Sequence, residues 1–385
     1  MSDHYRYLIV GAGFTGAVLA RQIASHLGER VLVIDKRRHA GGNAFDEFDD
    51  AGVLIHPHGP HIFHTNSPLV SSYLSQFTEW RAYEHRVGGY IDGRFVPIPF
   101  NITSMEVAFG PSEGRRLTKL LTDEFGLGSK VPILQMRQSA SSEVRRVADF
   151  IYEKVFLNYN IKQWGLRPEE LDPSVSARIP VHLSFDDRYF QDSFQFMPKN
   201  GYTRLFDAIL NHPLIEVRTG VNFLEICDHI KFDRLIYTGP IDEFFGLSHG
   251  ELPYRSLRFE MKTTQSPVTI QKVAQENYPT PREQHPYTRI TEFRILTGQS
   301  GVEFTTQAFE YPISYSRGEN EPYYPVPQAN NQELYRKYSK EALKLKTVFF
   351  AGRLADYTYY NMDQAVARAL ACFSKEITGA RSHDR

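Results

Sequence analysis

Apolar residues recur along this chain first in short runs cut by glycine, and only later at helical spacing. Tyr7-Leu8-Ile9-Val10 has the length and continuity of a parallel strand buried on both faces. Gly11, Gly13 and Gly16 follow as G-x-G-x-x-G, and Ala17-Val18-Leu19-Ala20 then reads as helix. A second run, Val31-Leu32-Val33-Ile34, ends in Asp35, 19 residues after Gly16. Segment 81–100 alternates and turns at Asp92-Gly93, a hairpin signal. Between 101 and 180 the spacing becomes helical, with Val144, Val147, Ile151 and Val155 on one side and Arg145, Arg146 and Glu153 on the other. Pro168, Pro173 and Pro180 punctuate its end. Strand-and-turn character returns over 196–240, and 232–242 reads as a strand rejoining the first sheet. Residues 254–315, rich in Thr, Val, Phe and Tyr, suit an antiparallel sheet. Val348-Phe349-Phe350 is a last short strand, Ala351-Gly352-Arg353 a turn, and Asn361-Met362-Asp363 lead into a helix at 364–370.

The opening strand, loop, helix, strand and acid each have a physical use. Gly11 permits the tight turn, Gly13 lets backbone approach a pyrophosphate, and Gly16 lets the helix pack on the strand. The helix N-terminus, with Phe14 and Thr15, offers free N–H groups and a positive dipole end to phosphate. Asp35 suits the hydroxyls of an unphosphorylated ribose, hence NAD or FAD rather than NADP. The basic turn at Lys36-Arg37-Arg38 and the pair Gly41-Gly42 before Asn43 resemble the element that completes the FAD pyrophosphate site in flavoproteins of the glutathione-reductase type. With the second glycine turn at Gly352, FAD is the expected cofactor. The expected fold is α/β: an FAD-binding Rossmann-like domain with a helical insert and an antiparallel β-sheet insert. The FAD domain is discontinuous, from 1–80, 196–240 and 340–385; 101–180 is the helical domain; 81–100, 181–195 and 241–339 form the sheet domain.

Composition narrows the partners. Across 385 residues, 45 acidic and 44 basic side chains nearly balance, so no strongly basic face for nucleic acid is expected. Cys227 and Cys372, in apolar contexts, read as free buried thiols in a reducing cytoplasm. The chain enters its first strand within a few residues, and no apolar run reaches membrane-spanning length; a cytoplasmic protein is expected. His56, His58, His61 and His64 crowd within nine residues and raise a metal reading. No carboxylate or cysteine stands at ligand spacing, H-E-x-x-H is absent, and Pro57 and Pro60 make the stretch a loop, so no metal is expected.

Six stretches then fall in order: "GPHIFHT" at 59–65, "NYNIKQWG" at 158–165, "FQFMPKNGYT" at 194–203, "YTRITE" at 287–292, "EPYYPV" at 321–326 and "GRLADYTYYNMD" at 352–363. Over nearly the whole chain the sequence resembles the UDP-galactopyranose mutase family. The resemblance implies interconversion of UDP-galactopyranose and UDP-galactofuranose by reduced FAD, through a flavin N5–sugar C1 adduct and with no net redox change. It implies diphosphate clamping by Arg178 and Arg289, whose forks bind phosphate oxygens bidentately. Tyr159, Tyr189, Tyr324 and Tyr359 are the matching hydroxyl set, Trp164 the sugar wall, and Tyr159 with Phe156 the stack on the base. His61 and His64 match histidines beside the flavin, His64 as an orienting group. The flavin contacts carried over are Phe14, Thr15, Asp35, Lys36, Gly42, Asn43, Val221 against adenine, Gly352, Arg353 and Met362. NAD(P)H or another reductant, a homodimer and a mobile loop at 161–170 are implied as well. Asn361 stands where familiar members carry aspartate; Val155 and His85 also depart, all on the substrate side. The same chemistry on a GDP-, dTDP- or other UDP-hexose is therefore an alternative, and a flavin oxidase or desaturase on the same fold is a further one.

Overall fold

In the computed structural model, which describes residues 4–381, the run Tyr7-Leu8-Ile9 lies fully buried inside the strand His4–Val10. Its continuous apolar character is explained by neighbours on both sides. Five parallel strands follow one another in the order Ile215–Thr219, Val31–Asp35, His4–Val10, Lys231–Tyr237 and Val348–Phe350. The helix Phe14–Leu27 leaves the glycine loop and buries Phe14, Ala17, Val18, Leu19 and Ile23 against this sheet. The helix Met362–Cys372 packs in the same core through Val366, Ala369 and Cys372.

A second sheet has seven strands, in the order Tyr324–Pro325, Tyr254–Gln265, Phe304–Ser314, Arg289–Glu292, Gln275–Asn277, Val87–Ile91 and Arg94–Ile98. The last two form the expected hairpin. Its turn places Asp92 at φ 48° and Gly93 at φ 76°, the left-handed pair that matches strand twist. The sheet is antiparallel except where Gln275–Asn277 runs parallel to Val87–Ile91. That hairpin comes from a distant part of the chain, so no tight turn dictates the antiparallel sense there.

Segment 181–195, expected in that sheet, goes elsewhere. Val181–His182 pairs with Lys130–Val131, and Phe194–Pro198 lies between Phe63–Thr65 and Trp80–Ala82. Asp186 turns the chain between them by accepting from the amide of Arg188 at 3.0 Å. The helical region shares one core with the hairpin: Leu117, Leu121, Val144, Val147, Ile151 and Phe156 pack with Val87, Ile91, Val96 and Ile98. Its helix Ser142–Ile151, capped by Ser141, runs through a wide turn at Tyr152–Leu157 into the helix Asn158–Trp164, which ends at Gly165 with φ 73°. Cys372 is buried, but Cys227 is only half-buried: it follows the short helix Phe223–Ile226, which buries none of its residues.

Candidate active site

The glycines show which spaces belong to the protein and which are left open. A Cβ on Gly16 would lie 1.9 Å from the carbonyl oxygen of Gly11, so helix and strand need glycine to touch there. A Cβ on Gly13 would meet only Gly42 Cα, at 3.8 Å. Gly13 thus leaves a cradle that packing of the chain does not require, and it gives the helix Phe14–Leu27 no side-chain cap. Free amides beside that cradle fit the pyrophosphate of a dinucleotide. Asp35 clips the loop: its Oδ2 accepts from the amide of Ala12 at 2.8 Å and its Oδ1 from that of Arg37 at 2.9 Å. Val221 donates its amide to the carbonyl of Asp35 at 2.9 Å, and Asn43 accepts from Arg37 Nη1 at 2.9 Å. Lys36 points to the surface, paired with Glu321 at 3.1 Å. Gly352 closes on Thr15, and Arg353 donates to the carbonyl of Tyr360 at 2.6 Å. Met362 starts its helix just after.

The histidine loop borders this cleft. His56 Nδ1 accepts from the amide of His61 at 3.1 Å, and His61 Nδ1 contacts the Gly59 carbonyl at 2.8 Å. Burial drives both rings to a pKa of about 3, and for His61 the nearby His56, Arg353 and Arg289 push the same way. Both are therefore neutral. His64 is fixed on two sides. Its Nδ1 is 2.9 Å from Asp192 Oδ2, and its ring stacks on Phe190 at 3.6 Å. The hydrogen bond to His64 holds the Asp192 carboxyl below its usual range. Among the described residues no group of three or more His, Cys, Asp or Glu converges to hold a metal.

On the far side of Arg353 the aromatic set assembles. Tyr324 and Tyr359 stack at 5.1 Å, Trp164 lies 6.1 Å from Tyr324, and the Arg353 guanidinium is 5.3 Å from the Tyr359 ring. Arg178 lies 3.8 Å over Tyr359 and donates from Nη2 to Asn361 Oδ1 at 2.7 Å. Arg289, first residue of the strand Arg289–Glu292, donates from Nε to Glu310 Oε2 at 2.7 Å. Burial alone would lower its pKa, but Glu310, Tyr159 and Tyr324 outweigh it and the group stays charged. Burial pushes Tyr159 up to about 12 and raises Tyr189 and Tyr324 further. These hydroxyls are protonated donors at neutral pH. Tyr189 is close enough to both Arg178 and Arg289 to be lowered somewhat by each charge. The site thus brings Arg178 and Arg289, with Arg353 beside them, to one set of tyrosine side chains.

Phe156 stands apart: only 6% exposed, it sits in the core of the helical region. Glu310, Asp192 and the half-buried Asp356, which accepts from the Gly352 amide at 3.0 Å, carry no mark of a site in the sequence motifs. For Glu310 a signal exists. It falls on the same face of its strand as Ala308 and Pro312, an acid on the buried phase of an alternating pattern.

A family model described as UDP-galactopyranose mutase matches residues 154–359, and a NAD(P)-binding Rossmann-like domain matches 9–77. A probable UDP-galactopyranose mutase of Klebsiella pneumoniae is 38% identical over 365 residues, 94% of this chain and 92% of its own. The chain belongs to the UDP-galactopyranose mutase family. Membership of this family makes the protein an isomerase. Another relative, a dTDP-fucopyranose mutase of Escherichia coli, is 32% identical and covers 95% of this chain and 97% of its own. Relatives of the UDP-galactopyranose mutase family therefore differ in sugar and base. In fold, the chain is similar to a crystal structure of reduced UDP-galactopyranose mutase, with TM-score 0.74 and 16% identity over 97% of this chain and 96% of that one. Among the described residues no helix is long and apolar enough to cross a membrane.

Proposed function

We propose that this protein interconverts the pyranose and furanose forms of a UDP-hexose, UDP-galactose first among them, with FAD in the glycine cleft. The observation that carries the reading is the approach of two guanidinium groups, Arg178 and Arg289, to one set of tyrosines. Ring contraction requires the anomeric C1–O bond to break, so that UDP leaves as an anion and must stay close. Two cations and several phenolic donors suit that anion, and desolvation strengthens the contact of the half-buried Arg289 more than that of the exposed Arg178. An amine or a hydrocarbon substrate would have no use for them.

Gly13, Gly42, Gly352 and the Asp35 clip would hold the dinucleotide, with Val221 at its adenine end and Met362 and Arg353 at the other. When bound and reduced, FAD supplies an electron-rich nitrogen for the sugar carbon, without net redox change. The chain's own part is positioning. His64, oriented by Asp192, presents its remaining ring nitrogen to cofactor or substrate hydroxyl. Arg178 and Arg289 grip the diphosphate, and Trp164 walls the sugar. NAD(P)H or another reductant is the proposed source of electrons, and a cytoplasmic homodimer the proposed form.

The test is dithionite-reduced protein incubated with UDP-, GDP- and dTDP-hexoses, with pyranose–furanose exchange read by chromatography. Exchange of UDP-galactose in reduced but not oxidised protein is expected. Exchange of only another nucleotide sugar would support the second reading, which the dTDP-fucopyranose mutase relative and Asn361 favour. Consumption of one O2 per substrate oxidised would instead make the protein an oxidase.

A further inference from the structure

Lys162 is 1% exposed, yet it carries an ammonium group into the interior. Its Nζ donates to three backbone carbonyls: Tyr278 at 2.6 Å, Tyr287 at 2.7 Å and His285 at 3.0 Å. An ammonium has three protons, so all are used. Burial, with the Arg282 guanidinium, pulls its pKa down to about 8, a sign that charge at this point is costly. A methionine would fill the same length at no such cost. What the charge does is join two pieces of chain. One is the helix Asn158–Trp164, which bears Tyr159 and Trp164. The other is the connection between the strands Gln275–Asn277 and Arg289–Glu292, which closes two residues before Arg289. The same junction is pinned again from outside. Arg255 donates from Nε to the Gln163 carbonyl at 2.9 Å and from Nη2 to that of Lys162 at 3.4 Å. Across it, Tyr278 lies 4.9 Å from His285 and 4.9 Å from Tyr287. The helical end at 161–164, part of the loop expected over 161–170, is therefore anchored.

We propose that Lys162 is a positioning residue: it locks the Tyr159–Trp164 wall to the root of the Arg289 strand, so that both meet the nucleotide as one rigid unit. The inference rests on the nucleotide-sugar reading for its ligand, but not for the lock itself.

The experiment compares the FAD-loaded wild type with Lys162→Met and Lys162→Arg. UDP binding is measured by calorimetry, and amide exchange is followed over 278–289. Lys162→Met is expected to bind UDP about tenfold more weakly, with KM raised more than kcat falls, and with FAD content kept. Lys162→Arg, which keeps donors and charge, should recover most of the loss. In a double-mutant cycle with Arg289→Ala, the two losses should be less than additive. Wild-type affinity in Lys162→Met, or fully additive losses, would overturn the proposal. Should Lys162→Met not fold, Lys162→Gln, which keeps two N–H donors, is read by the same outcomes. If the wild type binds no UDP, the functional reading has failed; amide exchange then decides alone, and unchanged protection over 278–289 in the variant overturns the lock.

Discussion

Glu310 holds Nε of Arg289 at 2.7 Å while itself only 1% exposed. Its second oxygen, Oε1, is buried with no hydrogen-bond partner among the described residues. The pair therefore aims Arg289 and also neutralises part of its charge. Glu310→Gln keeps an acceptor and removes the charge. UDP should then bind tighter, by about 1 kcal/mol, because the guanidinium meets the diphosphate with less competition. Glu310→Ala removes the acceptor, leaves the cation unsupported, and should cost about 3 kcal/mol of folding stability. Calorimetric UDP titration and urea unfolding of both variants check this; equal affinity in all three proteins would refute the charge argument.

Asn361 offers a second handle. It accepts from Arg178 at 2.7 Å without carrying charge. Asn361→Asp would turn the contact into an ion pair that competes with phosphate. Arg178 is exposed, so the loss in UDP affinity should be small, about 0.5–1 kcal/mol. An aspartate just before the helix Met362–Cys372 also favours its positive end. Affinity should fall while the melting temperature holds or rises, and a fall in both would point to disturbed packing instead.

Features set by neighbours in sequence were the legible ones. The glycine loop, Asp35 and the Asp92-Gly93 turn each answer a local demand, a turn or a close approach, and all take the expected places. Arg178, Trp164, Tyr324 and Tyr359 were named from motif resemblance and do assemble. Glu310 and Asp192 were missed because their partners, Arg289 and His64, lie 21 and 128 residues away, across strand pairings that periodicity does not reveal. Lys162 was hidden for a similar reason. A lysine in a polar-looking motif reads as solvated, and only the tertiary fold brings three carbonyls to it. The parallel pairing of 275–277 with 87–91 was equally out of reach, since no turn encodes it.

The second and third glycines of the first loop should fail differently when given a methyl group. At Gly16 the added carbon would stand 1.9 Å from a backbone oxygen that has nowhere to go. Gly16→Ala should not yield folded protein, or should lose more than about 4 kcal/mol. At Gly13 the nearest protein atom would be 3.8 Å away, so Gly13→Ala should fold and melt as the cofactor-free wild type does. Its methyl would stand in the cradle instead, and the purified protein should be colourless or weakly loaded with flavin. Absorbance at the flavin bands and a melting curve distinguish the cases; full yellow loading of Gly13→Ala would mean that no pyrophosphate lies there.

Acid should destabilise this protein through its histidines. His56 and His85 are each 1% exposed, and burial holds both at a pKa of about 3. In the unfolded chain they would titrate near about 6.5. Between those values the unfolded state binds protons that the folded state refuses. Stability is therefore complete above pH ~6.5 and falls as the pH drops toward ~3. One pH unit below the unfolded value, each such ring costs about 1.4 kcal/mol, so His56 and His85 together should remove nearly 3 kcal/mol by pH ~5.5. Buried Asp46 and half-buried Asp356, raised above their usual range by desolvation, oppose the trend at lower pH, so the informative quantity is a difference between proteins. His85→Asn keeps an acceptor near the Tyr83 hydroxyl, which lies 3.0 Å from His85 Nδ1, and deletes one titrating ring. Urea unfolding of wild type and variant at pH 7.5 and 5.5 should show the variant losing about 1.4 kcal/mol less on acidification. Equal losses would mean that His85 takes up its proton in the folded state, and that the interior around Tyr189 and Phe190 admits a charge it is built to exclude.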